Sequence, residues 1–272
     1  MKCQEAGIRP RSGAHGLGLR IGSLFSGIGG LELGLEWAGV GRTVYQVELD
    51  PYCQGELARN WPDVPRWTDI EGVDPAKLPA ADVVCGGFPC VDLSVAGVGG
   101  ARLGLQGTRS GLWSRMAGVV ETQRPTWVVV ENVARGVDKW LPVVRADLER
   151  LGYTTLPVPL EARHVGAPHH RPRVFVLAHS DRFALRVEQQ RVSRRREGDL
   201  PAEGEPLALE HGEGRGWQTQ PPLSVVADGL SRGVAGAYYR AVGNAVVPQV
   251  AEVIGWMIRE LVDAGAAARR AT

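Results

Sequence analysis

The chain has 272 residues, 44% apolar and 22% charged, with a formal net charge of +1. That length buries a full core, and the composition excludes disordered, collagenous and disulfide-scaffold classes. A near-neutral total makes no global case for nucleic acid and none against it, because a basic cleft can sit inside a neutral chain.

All but three of the 31 basic residues are arginine, which suits phosphate and base-edge contacts better than lysine does. The four cysteines, Cys3, Cys53, Cys85 and Cys90, match neither a zinc spacing nor a secreted disulfide framework. No metal is expected, and the setting reads as reduced. Residues 1–18 lack the apolar region of an export signal, and no run of 18 apolar residues occurs, so a cytoplasmic protein without a membrane partner is expected.

Residues 1–18, rich in Gly, Arg and Pro, read as a flexible leader. Residues 19–24 form a short strand that breaks into Phe25-Ser26-Gly27-Ile28-Gly29-Gly30. Leu31, Leu35 and Ala38 then repeat at helical spacing. A strand, a glycine turn and a helix start let a ligand approach the backbone and meet free amides. A second strand over 43–48 ends in Glu48, with Leu49 and Asp50 beyond it. An acid there, about 20 residues after the turn, is where this architecture holds a ribose diol. Residues 51–60 suit a helix, and a third strand tip offers Asp69 and Ile70, the acid able to accept from an adenine amino group. Each acid can equally cap a helix or sit in a solvated loop.

Residues 81–85 read as a buried strand that ends in Cys85-Gly86-Gly87-Phe88-Pro89-Cys90. A thiol just past a strand end is where an α/β enzyme places a nucleophile, although a small buried residue after a turn reads the same way. The stretch 93–112 holds six glycines together with Ser94, Arg102, Arg109 and Ser110, and reads as a lid. A helix over 112–121 precedes residues 126–130, apolar enough to predict a central parallel strand. The strand ends in Glu131-Asn132-Val133, and a carboxylate at such a mouth needs a partner.

A helix over 138–151 and a strand over 153–160 follow. His170, Arg171 and Arg173 then precede a strand over 174–178, the two arginines facing one side of an extended segment as a clamp. From 182 to 215, seven arginines and seven acids with few large apolar residues cannot build a core, and Arg191 to Arg196 forms a basic patch. Gly243-Asn244-Ala245-Val246-Val247-Pro248 is a turn before an amphipathic closing helix over 249–261.

Taken in order, these motifs resemble the DNA cytosine-5 methyltransferases, in particular their compact bacterial and phage forms, over roughly residues 20–180 and 223–258. The resemblance implies an α/β, Rossmann-like S-adenosylmethionine-dependent fold with a mostly parallel sheet and a small target-recognition insert. The implied divisions are a leader over 1–18, a catalytic and cofactor domain over 19–181, and a recognition region over 182–236. A C-terminal helix over 237–262 then returns to the catalytic domain, and 263–272 is a flexible tail. S-adenosyl-L-methionine, leaving as S-adenosyl-L-homocysteine, is the implied cofactor. It would be held by Phe25, Ser26, Gly27, Ile28, Gly29, Gly30, Glu48, Leu49, Asp69, Ile70, Gly87, Phe88, Pro89, Asn244 and Ala245.

Cys90, Glu131, Arg171 and Arg173 take the family's catalytic places. Ser94, Arg102, Arg109, Asn132, His170, Arg191 and Arg194 are expected on DNA. The implied reaction is methylation of cytosine C5 in double-stranded DNA, through a Cys90–C6 adduct on a flipped base. A monomer in the bacterial cytoplasm or encoded by a phage is expected, with a restriction endonuclease as an open partner. Val91 and His169 stand where the family usually has glutamine, and the region between the arginine pair and Asn244 is short. A transfer-RNA methyltransferase on the same scaffold and a non-catalytic binding relative remain alternatives.

Overall fold

The computed structural model describes residues 16–89, 111–180 and 232–270. Seven strands form one sheet: β1 (Leu19–Leu24), β2 (Gly41–Val47), β3 (Arg66–Trp67), β4 (Val83–Gly86), β5 (Trp127–Val133), β6 (Thr154–Leu160) and β7 (Arg173–His179). Their spatial order is β3-β2-β1-β4-β5-β7-β6. The β1, β2, β3, β4 and β5 pairings are parallel, whereas β7 runs antiparallel to both β5 and β6. The chain winds outward from β1 in one direction and resumes at β4 in the other. The crevice beyond the ends of β1 and β4 is therefore the topological switch point, where open α/β sheets bind ligands.

The helices are α1 (Gly30–Trp37), α2 (Pro51–Asn60), α3 (Gly111–Gln123), α4 (Val137–Arg150), α5 (Arg232–Asn244) and α6 (Pro248–Arg270). Alternation along the strands sends residues to two cores. Val128 and Val130 join Trp113, Met116, Trp140 and Val144 under α3 and α4. Trp127 and Val129 join Leu31, Leu35, Ile254 and Ile258 under α1 and α6. By length and composition, residues 240–265 could cross a membrane. In the fold, the apolar stripe of α6 (Val250, Ala251, Ile254, Ile258 and Leu261) is buried.

Several expectations change. Residues 126–130, expected as a central parallel strand ending in Glu131-Asn132-Val133, lie in β5, which does end at Val133 but is parallel only to β4, because the β6–β7 hairpin folds back and lays β7 beside it. The turn expected over 243–248 lies at Ala245, Val246 and Val247 and leads into the closing helix α6, but the span 237–262 taken as one C-terminal helix holds the end of α5 as well. Helical backbone also continues to Arg270, through the alanine- and arginine-rich stretch expected to be flexible, and these are strong helix formers. Of the expected leader, residues 16–18 belong to the fold, Leu17 N–H donating to the Gly39 carbonyl at 2.9 Å.

Candidate active site

A cleft of about 820 Å³ opens at the switch point. Its walls come from the turn after β1, the tips of β2 and β3, the turn after β4, the end of β5, the start of α4 and the face of α5.

At one end stands Glu48, one residue past β2. Its Oε2 accepts the Gly27 N–H at 2.7 Å and its Oε1 accepts the Asp50 N–H at 2.8 Å. Both oxygens are thereby fixed, and each keeps a second lone pair for a ligand hydroxyl. Asp50 lines the cleft too, while its carboxylate caps α2, accepting from the backbone N–H groups of Tyr52 and Cys53. Asp69 also caps, its carboxylate accepting the Glu71 N–H at 2.9 Å, but it lines the cleft as well, as do Leu49 and Ile70. Leu49 is a large aliphatic side chain 70% exposed at the cleft wall.

The glycine turn divides its labour differently from the expectation. Phe25 and Gly27 line the cleft, with φ of 55° and 57°. A left-handed phenylalanine is strained backbone, the kind that collects at ligand sites. Ser26 is buried and bonds inward to Ser23 Oγ at 2.9 Å. Neither Ile28, Gly29 nor Gly30 lines the cleft. A Cβ on Gly29 would meet the Trp61 ring at 2.4 Å, and one on Gly30 would meet the Val246 carbonyl oxygen at 2.1 Å. These glycines admit protein rather than ligand, holding α1 against Trp61 and against the turn before α6.

At the other end lies Glu131. Because β7 is antiparallel to β5, Arg173 pairs in register with Val133, and Glu131 is the diagonal neighbour on the same face. Arg173 Nε approaches Glu131 Oε1 at 2.8 Å. Burial pushes the Glu131 carboxyl above its ordinary value, while Arg173 and then Arg171 pull the other way. A carboxyl so balanced can accept a hydrogen bond or hold a proton opposite a ring nitrogen. The second oxygen, Oε2, lies over the α-carbon of Gly87, where a Cβ would come within 2.6 Å of it. Phe88 and Pro89 continue the wall.

Arg171 does not clamp alongside Arg173. Its φ of 45° takes it out of extended backbone. Its Nη2 donates instead to the Gly243 carbonyl at 2.8 Å and to that of Ala245. Ala245, expected on the cofactor, acts here through its backbone, whereas Asn244 lines the cleft. Asn132, expected on DNA, is only 3% exposed. Its Nδ2 donates to the Phe88 carbonyl at 3.1 Å and its Oδ1 accepts the Val133 N–H at 2.8 Å, so it braces the turn after β4 against β5. His170 is exposed outside the cleft, 3.4 Å from Glu161. Cys90, Ser94, Arg102, Arg109, Arg191 and Arg194 lie outside the described residues. Cys85 is buried in β4, and burial holds its thiol well above the ordinary range.

Sequence reasoning missed Arg135, Asp138, Lys139 and Arg240, all of which line the cleft. Helical spacing could have found Arg240, four residues before Asn244 and so on the same face of α5.

Residues 19–208 match the protein family described as C-5 cytosine-specific DNA methylase. The chain is 38% identical over 170 residues to the Type II methyltransferase M2.BsuMI of Bacillus subtilis (strain 168), covering 59% of this chain and 42% of that protein. It is 35% identical over 162 residues to the Type II methyltransferase M.NgoBI of Neisseria gonorrhoeae, covering 58% and 50%. The chain thus spans half or less of the length of these relatives. Among solved structures, the S. pombe Dnmt2 methyltransferase aligns with a TM-score of 0.51 at 22% identity over 59% of this chain and 50% of that one, a likeness of fold.

Proposed function

The chain belongs to the C-5 cytosine-specific DNA methylase family, and from that premise we propose that it methylates C5 of cytosine in double-stranded DNA at a short specific sequence. The observation that carries the reading is the Glu131–Arg173 pair, buried in the same cleft whose far end holds Glu48 on two backbone amides.

The cleft fits S-adenosylmethionine. Glu48 presents fixed carboxylate oxygens suited to a ribose diol, Leu49 and Ile70 offer apolar surface for adenine, and Glu48, Asp50 and Asp69 favour a cationic ligand. When bound, the cofactor supplies an electrophilic methyl group.

The protein's own residues do the rest. Cys90, next in sequence to the cleft-lining Pro89, adds as thiolate to C6 of a cytosine turned out of the duplex, forming an S–C6 bond and moving electron density to C5. Glu131, held by Arg173, bonds the N3 and amino edge of the ring and stabilises the charge that develops there. Once C5 carries the methyl group, its proton passes to a base or water, and Cys90 leaves with the electrons of the S–C6 bond. Cys85 takes no part, because a thiol so buried stays protonated. That both relatives are Type II methyltransferases supports a bacterial modification enzyme working beside a restriction endonuclease. A monomeric cytoplasmic protein completes this reading.

The test incubates the protein with radiolabelled S-adenosylmethionine and either unmethylated genomic DNA or total transfer RNA, followed by nucleoside analysis. We expect 5-methylcytosine in the DNA, its loss in Cys90→Ala, and its retention in Cys85→Ala. Label in RNA alone would overturn the substrate, and equal loss from both cysteine variants would remove Cys90 as the nucleophile.

A further inference from the structure

The methylation reading leaves one charged edge of the cleft without a task. Arg135 lies on the turn between β5 and α4, and Lys139 lies in the first turn of α4. Both are exposed, and both line the cleft. Among the described residues neither forms a salt bridge, although Asp138 lies between them in sequence. We propose that Arg135 and Lys139 are phosphate-binding residues that hold the DNA backbone on either side of the extruded cytosine. The proposal rests on the methyltransferase reading and names a contact surface for its substrate.

Three observations converge on it. First, Arg135 follows the base-facing Glu131 by four residues, where β5 gives way to α4. A nucleotide whose base edge meets Glu131 carries its phosphates one sugar away, within reach of long side chains on the adjoining turn.

Second, charge is divided along the cleft. The β2 and β3 tips offer Glu48, Asp50 and Asp69, which repel a phosphate and suit a cationic cofactor, and Arg240 stands at that end beside Cys53. The β5 and α4 edge offers Arg135 and Lys139 against the single acid Asp138. A polyanion entering the cleft is therefore steered to that edge.

Third, the other cleft arginine of the β5–β7 region, Arg173, is already committed to Glu131, and Arg171 is committed to two carbonyls. Each spends part of its guanidinium inside the protein, Arg171 through Nη2 and Arg173 through Nε. Arg135 and Lys139 supply the cations that the arginine pair does not.

The experiment measures methyl transfer to sheared unmethylated genomic DNA between 50 and 200 mM salt, for the full chain and for Arg135→Gln/Lys139→Gln. Binding of S-adenosylhomocysteine, measured by calorimetry, controls for folding. The double variant should raise KM for DNA on the order of tenfold with kcat little changed, and should flatten the dependence of log(kcat/KM) on log salt by about 0.9 per contact removed. Binding of S-adenosylhomocysteine should stay within about twofold, since a phosphate contact leaves the cofactor end of the cleft untouched. Unchanged KM and salt slope in an active double variant would overturn this proposal alone. A fall in kcat with an unchanged KM for DNA would overturn it too, assigning the pair to the chemistry. A wild-type chain that neither methylates nor binds a fluorescein-labelled duplex would bring down the methyltransferase reading, and this proposal with it.

Discussion

Arg173 Nε lies 2.8 Å from Glu131 Oε1, across the antiparallel seam where β7 meets β5, and the two side chains are only 17% and 10% exposed. The seam makes the pair. In a parallel neighbour, the residue opening a strand would lie at the opposite end of the sheet from the mouth of β5. Running β7 backwards brings its first residue to that mouth.

Removing Arg173 should therefore cost more than a surface ion pair does. Arg173→Ala leaves Glu131 buried without its main partner, and breaking such pairs typically destabilises by about 3–5 kcal/mol. Arg173 is the leading group drawing the Glu131 carboxyl down, so its loss sends that carboxyl further up. We expect a lower urea midpoint, loss of most methyl transfer at neutral pH, and an acid limb of the pH–rate profile moved to higher pH. An unmoved limb would show that Glu131 does not titrate under the influence of Arg173.

Asn132→Ala separates a brace from a DNA contact. The side-chain amide holds the Phe88 carbonyl, two residues before Cys90 in sequence. Leaving that buried carbonyl unpaired should cost about 1–3 kcal/mol and misplace the turn. The expected kinetics are a fall in kcat with KM for DNA unchanged. A raised KM with a shallower salt dependence would restore Asn132 to the DNA interface.

The sheet was legible because its signals are local. Apolar runs ending in Glu48, in Gly87 and in Glu131 each announce a strand and its tip, and the switch point gathers those tips whatever the packing around them. What stayed hidden was long-range. The spacing of Arg171 and Arg173 suggested a clamp, but one positive φ turned Arg171 toward carbonyls more than 70 residues away in sequence. Gly29 and Gly30 read as ligand-facing until Trp61 and Val246 came to rest on them. Asn132 read as a DNA contact until its amide came to rest on the Phe88 carbonyl, although it lines the cleft beside Glu131.

Gly34→Ala tests how the C-terminal helices serve the cleft. A Cβ at Gly34 would lie 2.3 Å from the Pro248 carbonyl oxygen and 2.5 Å from the Ala251 Cβ, so α6 must move off α1. Overpacking of this kind costs about 1–3 kcal/mol. The displaced turn carries Asn244 and the carbonyls that anchor Arg171. We expect weaker binding of S-adenosylhomocysteine in calorimetry, together with a lower Tm. Gly55→Ala in α2, where a Cβ meets nothing within 4 Å, is the control and should be neutral or slightly stabilising. Unaltered cofactor affinity in Gly34→Ala would show that the α1–α6 contact does not position the cleft.

Glu32 gives the fold a pH dependence of its own. It sits at 0% exposure in the first turn of α1, its Oε1 accepting from Gln46 Nε2 at 3.0 Å while Oε2 has no hydrogen-bond partner. Burial drives its carboxyl from 4.5 up to about 7, with Glu36 adding to the rise. The sign follows from that direction. The native state holds its proton where the unfolded chain has released it, so the contribution to stability is full below about pH 4.5, declines as pH rises toward 7, and is flat above. The whole swing is on the order of 3 kcal/mol. Glu32→Gln keeps the shape and, through its carbonyl oxygen, the bond from Gln46, but cannot ionise. The difference in urea unfolding free energy, variant minus wild type, should therefore grow in favour of the variant between pH 5 and pH 7.5 and then level off. A difference that stays constant across that range would mean that Glu32 is already ionised in the native protein, with a cation or water on the second oxygen.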